Sequence, residues 1–363
     1  MNVQCTNCRQ PYPETGVPYR CETCGGLYDF EGSWCFDSLT QENGQPGIWR
    51  YRSTFGLPED APIISLGEGN TPVVWAEAHG RKIAFKCESL NPSGSFKDRG
   101  SATLVSFLRS RDVTDAVEDS SGNAGASFAA YAARAEIRAR VFVPEAASGP
   151  KRIQIAAYGA EVVPIPGPRT NAAEAVRRAA EGEAVYASHA YLPFNIPGYA
   201  TLAYELVEQL GGEPGTVIIP AGQGGLILGV QRGFQALAKA EMISQMPRLV
   251  GVQARACAPL WALASYGPAG LQWVSEGQTL AEGIRVRYPV RGDAVIRAVE
   301  LSGGMFLAVD EEDILSGRDE LARRGLYVEN TSAVVWKALE LVRGKVPEPV
   351  VAVLTGSGLK NIA

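Results

Sequence analysis

Asn91-Pro92-Ser93-Gly94-Ser95-Phe96-Lys97-Asp98-Arg99-Gly100 sets one lysine between a small, hydroxyl-bearing turn and the first turn of a helix. The run Lys82-Ile83-Ala84-Phe85-Lys86 precedes it, so the segment reads as strand, loop, helix. A lysine at that point has a chemical use. Helix amide N–H groups and nearby cationic or apolar surroundings favour its neutral amine, the form that makes a Schiff base. Alone, the segment also reads as a surface lysine after a turn. Its neighbours decide.

Working outward, short β-branched runs alternate with Ala-rich helical stretches, the pattern of an α/β protein with mainly parallel sheets. Val141-Phe142-Val143-Pro144 and Ala160-Glu161-Val162-Val163-Pro164-Ile165 alternate with helical segments near 151–158 and 170–181. In such folds ligands bind at the carboxyl ends of strands. Three loops there stand out. Asp119-Ser120-Ser121-Gly122-Asn123-Ala124-Gly125 follows Ala116-Val117-Glu118 and opens a helix to Ala135. Its N–H groups, serines and asparagine suit a carboxylate or phenolate, although Ser and Asn also cap helices routinely. Pro220-Ala221-Gly222-Gln223-Gly224-Gly225 leaves the strand Thr216-Val217-Ile218-Ile219 and enters a helix, where glycines let the backbone wrap a phosphate. Its register is neither GxGxxG nor a Walker loop, which favours a small phosphate ester over a dinucleotide. Thr355-Gly356-Ser357-Gly358 follows Val350-Val351-Ala352-Val353-Leu354 and offers a hydroxyl to an aromatic ring nitrogen, or a simple turn. Together with Lys97 these loops suit one cofactor, pyridoxal phosphate.

The composition permits this and excludes other classes. With 363 residues, 46% hydrophobic and 20% charged, the chain can bury a sizeable core of about two domains. A net charge of −5 leaves no electrostatic footprint for nucleic acid. No apolar run approaches the roughly 20 residues of a membrane span, and Met1-Asn2-Val3-Gln4-Cys5 lacks a secretory pattern, so a cytoplasmic protein is expected. Only two histidines occur, which argues against His-centred chemistry. His189 is read as a structural histidine.

Cys5-x-x-Cys8 and Cys21-x-x-Cys24, twelve residues apart, are spaced to bind one tetrahedral zinc on two knuckles. Gly25 and Gly26 let the backbone turn inward around the ligands. Four thiolates close the shell, so the expected zinc is structural. Two disulfides or a redox CxxC pair are the alternatives, opposed by the lack of a secretory pattern and of a thioredoxin-like strand–helix setting. Within the ribbon reading a metal-free relic is the other outcome. Gly- and Pro-rich residues 38–62 are expected to link it to the main body, with Trp49-Arg50-Tyr51 packing on that body.

Leu66-Gly67-Glu68-Gly69-Asn70-Thr71-Pro72, Asn91 to Gly100, Ser120 to Ser127, Gly222 to Gly225 and Leu354-Thr355-Gly356-Ser357-Gly358-Leu359-Lys360 resemble the fold-type II pyridoxal-phosphate enzymes, and within them the threonine synthases. The resemblance covers residue 60 onward, and a CxxC ribbon in front is similar to many threonine synthase-like chains. It implies a two-domain fold with the cofactor in the cleft. The expected division is a zinc ribbon over 1–37, a linker over 38–62, a larger domain from 63–100 and 200–363, and a smaller one over 101–199. It further implies Lys97 as the Schiff-base partner, Asn123 at the cofactor's 3′-oxygen, Gly222, Gln223, Gly224 and Gly225 around its phosphate, and Thr355 or Ser357 at the pyridine nitrogen. Ser120, Ser121 and Thr201 are expected to take the substrate carboxylate, and Lys151 and Arg152 its phosphate, against capping, packing or a solvated helix face. The implied reaction converts O-phosphohomoserine and water to threonine and phosphate, in a homodimer. Ser357 stands where threonine synthases commonly carry histidine, and Gln223-Gly224-Gly225 replaces a version with asparagine. Thr279 to Ile284 and Gly325 to Ala333 resemble the serine/threonine dehydratases. A serine/threonine ammonia-lyase, a β-replacement enzyme, and a non-catalytic binding protein that keeps the fold therefore stay open.

Overall fold

The structure, a computed structural model, describes residues 2–32, 34–37, 44–146, 149–167, 169–182 and 184–361. The start of the expected linker, 38–43, lies outside the described residues. In chain order the elements are β1 (Val3–Cys5), β2 (Tyr28–Phe30), β3 (Val73–Ala78), β4 (Arg81–Lys86), α1 (Lys97–Arg109), β5 (Asp115–Glu118), α2 (Asn123–Arg134), β6 (Arg138–Pro144), α3 (Pro150–Ala157), β7 (Glu161–Ile165), α4 (Arg169–Ala179) and β8 (Val185–Tyr186). There follow α5 (Ile196–Leu210), β9 (Thr216–Pro220), α6 (Gly225–Lys239), β10 (Arg248–Ala254), α7 (Pro259–Tyr266), α8 (Gly292–Leu301), β11 (Met305–Val309), α9 (Glu311–Ala322), α10 (Asn330–Leu341) and β12 (Val350–Val353). No helix among the described residues is long and apolar enough to cross a membrane.

The chain forms two compact units. One runs through Gly69 and resumes over Asn91–Gly198; the other takes Asn70–Leu90 and Tyr199–Asn361. This groups residues differently from the expected division. Residues 63–69 and 91–100 join the unit of α1 to α4, and the ribbon joins it too. The physical reason is packing: the decapeptide leads directly into α1, which packs on α2, and the ribbon rests on α1 through aromatic rings.

In the first unit a parallel sheet runs β7-β6-β5-β8. Its core gathers Val117, Phe142, Val176 and Tyr186. Tyr12 of the ribbon lies edge-on to Tyr28, Phe107 and Phe194, at 4.7, 6.0 and 5.1 Å between centroids. Phe107 and Phe194 stack at 3.5 Å. Tyr19 meets Tyr186 and Tyr191 at 5.1 and 5.5 Å, and Arg20 lies over Tyr191. The expected linker is only partly a linker. Gly47–Thr54 forms a 3-10 helix that buries Ile48, Trp49 and Tyr51. Trp49 Nε1 donates to the buried Glu68 carboxylate at 2.7 Å, which also accepts from Tyr131 OH at 2.7 Å and Leu66 N at 2.9 Å. Three such bonds offset the cost of burying that charge.

The second unit holds a six-stranded sheet, β11-β10-β9-β12-β4-β3, parallel except for the β3–β4 edge pair. β9 and β12 are buried along their whole length, as continuous apolar runs covered on both faces require. His79 and Gly80, at φ +51° and +71°, make the two-residue turn that joins β3 to β4. At the sheet's heart Lys86 Nζ lies 2.7 Å from Glu205 Oε2 and donates to Thr71 O at 2.7 Å, both charged side chains being fully buried. Glu205 also accepts Asn70 N at 2.7 Å, which anchors the loop before β3.

Candidate active site

Each unit carries part of the expected constellation. In the first, Lys97 is the first residue of α1, half-buried, with Nζ 4.7 Å from the Phe96 ring centroid. The turn before it is held by the buried Asp98, which accepts from Ser93 N at 2.6 Å and Ser93 Oγ at 2.5 Å. Ser127 Oγ on α2 lies 2.6 Å from the same carboxylate, and Gln154 Nε2 on α3 donates to Ser93 O at 3.0 Å. Three helices therefore fix the lysine's loop. Neither Asp98, though it stands beside Lys97 in the decapeptide, nor Ser127 carries a sequence signal of this anchoring role.

The Ser120 loop leaves the end of β5, and Asn123 is the first residue of α2. Ser120 is buried; Ser121 and Asn123 are half-buried. A Cβ on Gly125 would lie 1.8 Å from Ser120 O, so the loop folds directly onto the helix backbone. Lys151 and Arg152 open α3, half-buried, with Arg152 Nη1 donating to Glu145 O at 3.4 Å. The four ribbon sulfurs, Cys5, Cys8, Cys21 and Cys24, lie within 4.8 Å of one another. Burial pushes the Cys21 thiol up, but the backbone N–H groups of Cys24 and Thr23 outweigh it and hold it at about 6.

In the second unit the loop before α6 is built so that side chains have no room. A Cβ on Gly222 would meet Gly283 O at 3.0 Å, and one on Gly224, at φ +79°, would meet Val295 at 2.5 Å. Gln223 turns its amide oxygen away to accept Val290 N at 2.9 Å, leaving its backbone to the loop. Gly283 N donates to Thr331 Oγ1 at 3.2 Å. The segments Thr279 to Ile284 and Gly325 to Ala333 thus meet, and the first lies against Gly222. Thr355 is buried with its hydroxyl 3.0 Å from Ser332 Oγ. Ser357 behaves differently, accepting Leu359 N at 3.3 Å as the cap of the turn that follows. Thr201 is buried inside α5.

Known proteins bear on this arrangement. Residues 64–356 match the family model described as pyridoxal-phosphate dependent enzyme. The threonine synthase of Methanocaldococcus jannaschii is 32% identical, over 99% of this chain and 93% of that one. That of Mycobacterium leprae is 34% identical over 87% of this chain and 89% of its own length. Among solved structures, the T.th. threonine deaminase is 26% identical and superposes with a TM-score of 0.65 over 79% of this chain and 92% of that one. Maize serine racemase, at 23% identity, TM-score 0.67 and coverage of 79% and 88%, shares the fold.

Proposed function

The chain belongs to the pyridoxal-phosphate-dependent enzymes, and from that membership we propose that it converts O-phosphohomoserine and water to threonine and phosphate. The observation that carries the reading is the similarity to a threonine synthase along 99% of the chain, ribbon included.

The residues suit the cofactor. Ser95, two positions before Lys97, is fully buried, and its hydroxyl has no hydrogen-bond partner among the described residues. Glycine at 222 and 224 lets the loop of the second unit pack its backbone against Gly283 and Val295, closer than a side chain would allow, at the start of a 15-residue helix whose N–H groups favour an anion. Pyridoxal phosphate supplies, when bound, an aldehyde for an amine and an electron sink for charge developing on the substrate's carbons. In this reading Lys97 holds it through Nζ and then moves protons at the substrate's Cα, Cβ and Cγ. Gly222, Gln223, Gly224 and Gly225 bind the phosphate through backbone N–H groups, and Asn123 takes the 3′-oxygen. Thr355, buried and tied to Ser332, takes the pyridine nitrogen in preference to Ser357, which is occupied as a cap. Ser120, Ser121 and Thr201 receive the substrate carboxylate, while Lys151 and Arg152 attract its phosphate.

Incubation with O-phosphohomoserine is expected to release phosphate and threonine in equal amounts. The meeting of Thr279 to Ile284 with Gly325 to Ala333 at the glycine loop favours one second reading, an ammonia-lyase. A 2-oxo acid formed from threonine, with no phosphate from O-phosphohomoserine, would establish it instead.

The ribbon suits zinc. Its sulfurs stand 3.4 to 3.6 Å apart along the pairs Cys5–Cys24, Cys8–Cys24 and Cys8–Cys21. A tetrahedral ion with Zn–S near 2.3 Å separates its ligands by about 3.8 Å. Cys21→Ser is expected to drop zinc from about one ion per chain to a small fraction, and to lower Tm by about 5 °C or more. Metal analysis and a thermal melt check both; unchanged zinc content would count against a loaded ribbon.

A further inference from the structure

We infer that Glu118 and His189 form a positioning pair that turns the Ser120 hydroxyl into a hydrogen-bond donor for the substrate's carboxylate. The inference rests on the reading of the Ser120 loop given above and goes beyond it by naming what aims the loop.

Glu118 ends β5, with a side chain only 1% exposed. Its two oxygens face two different donors. Oε1 lies 2.5 Å from His189 Nδ1, and Oε2 accepts Ser120 N at 2.5 Å. Burial pushes this carboxyl up, but the His189 ring and the Ser120 N–H outweigh it and hold it below the usual carboxylate range. His189 is itself fixed. It sits in the turn after β8, which pairs with β5, so neighbouring strands deliver both members. Asn195 Nδ2 donates to His189 O at 2.6 Å. Beside it Tyr186 OH donates to Asp119 Oδ1 at 2.8 Å, so two consecutive acids at the loop's root are tied to the same strand and turn.

Ser120 is consequently held on three sides. Its N–H is consumed by Glu118, its carbonyl lies against the Gly125 Cα, and its Oγ accepts Gly122 N at 3.2 Å. An oxygen already accepting from Gly122 keeps its own proton to donate, and a donor hydroxyl at the start of a helix recognises an anion such as a carboxylate. Without Glu118 the Ser120 N–H loses its acceptor and the serine is released to rotate. Without His189 the carboxylate is free to turn from Ser120. Neither residue needs to touch the substrate.

The test uses the cofactor-loaded enzyme and the variants His189→Ala, His189→Asn and Glu118→Ala, the last of which leaves no acceptor for Ser120 N–H. Asparagine at 189 places an amide N–H near the position of Nδ1–H. His189→Ala is expected to raise KM for O-phosphohomoserine about 10- to 100-fold, the loss of one hydrogen bond to a charged group. Its kcat stays within about 3-fold and its cofactor absorbance is unchanged. His189→Asn restores KM to within about 3-fold of the original. Hydrogen exchange over residues 119–122 quickens in His189→Ala and Glu118→Ala and not in His189→Asn. Unchanged exchange in His189→Ala and Glu118→Ala overturns the inference, as does a fall in kcat with KM unaltered. If the unaltered enzyme ignores O-phosphohomoserine, the functional reading fails separately. The pair is then judged by the exchange data and by the serine concentration that perturbs the cofactor's absorbance in each variant.

Discussion

Lys97→Ala is expected to lower turnover by at least about 10³-fold, the scale of removing a positioned acid–base group, and to abolish the cofactor absorbance near about 410–430 nm. The variant should still fold. Lys97 is the first residue of a 13-residue helix and half-buried, and alanine is a favourable helix former there. The bonds from Ser93 and Ser127 to Asp98 hold the turn and survive the substitution. Thermal stability should therefore stay within about 0.5–1 kcal/mol of the original. That combination separates lost chemistry from lost structure. Retained turnover, or an absorbance band that survives the substitution, would remove Lys97 from its proposed role. A band absent from the unaltered protein would favour the non-catalytic reading.

Gly125→Ala carries the second large effect, and here the damage is steric. The new Cβ would lie 1.8 Å from Ser120 O and 3.2 Å from Ile155 Cδ1. The first obstacle is backbone, so no rotamer change relieves it. α2 would have to move off the Ser120 loop, or the loop off α2. Overpacking of this kind costs about 1–3 kcal/mol or more, seen as a fall in Tm of about 4 °C or more. Because the moving parts are Ser120 to Asn123, cofactor affinity should fall as well, by about 10-fold or more per 1.4 kcal/mol lost. Gly122→Ala is the control. Its Cβ would meet nothing closer than Ser120 Oγ at 3.7 Å, and its φ of −102° suits any residue. It should melt within about 0.5 kcal/mol of the original. Equal melting of the two variants would mean that the loop is not packed as described.

Local features were the legible ones. Alternating apolar runs and Ala-rich stretches located β5, α2, β9, α6 and β12, because strand and helix periods are written within a few residues. The ribbon was legible because two close pairs of cysteines need only one ion to bring them together. What escaped was formed at a distance. Glu68 takes bonds from Ser65 and Leu66 beside it but also from Trp49 and Tyr131 far along the chain, so nothing around Leu66 to Pro72 announces a buried carboxylate. Glu118 and His189 are 71 positions apart, and a lone histidine after a short strand reads as structural. The 3-10 helix of Gly47–Thr54 was hidden by its Gly- and Pro-rich approach, while β3 lacks clear alternation and was not legible as a strand in the sequence. Gln223 drew attention as a departure in the phosphate loop, yet its side chain serves Val290.

The aromatic seam under the ribbon changes how that module should be regarded in comparisons across evolution. Zinc ribbons are easily pictured as beads, exchangeable from one protein to the next. Tyr12, seated among Tyr28, Phe107 and Phe194, ties this one to α1, the helix that begins with Lys97. A ring that shrinks at 12 leaves a gap which 107 or 194 must fill, since close-packed interiors tolerate little lost volume. A substitution at one of these rings is thus expected to require a compensating change at another. Coordinated change at these positions, and not mere retention of four cysteines, would mark the descendants in which the ribbon still belongs to the enzyme.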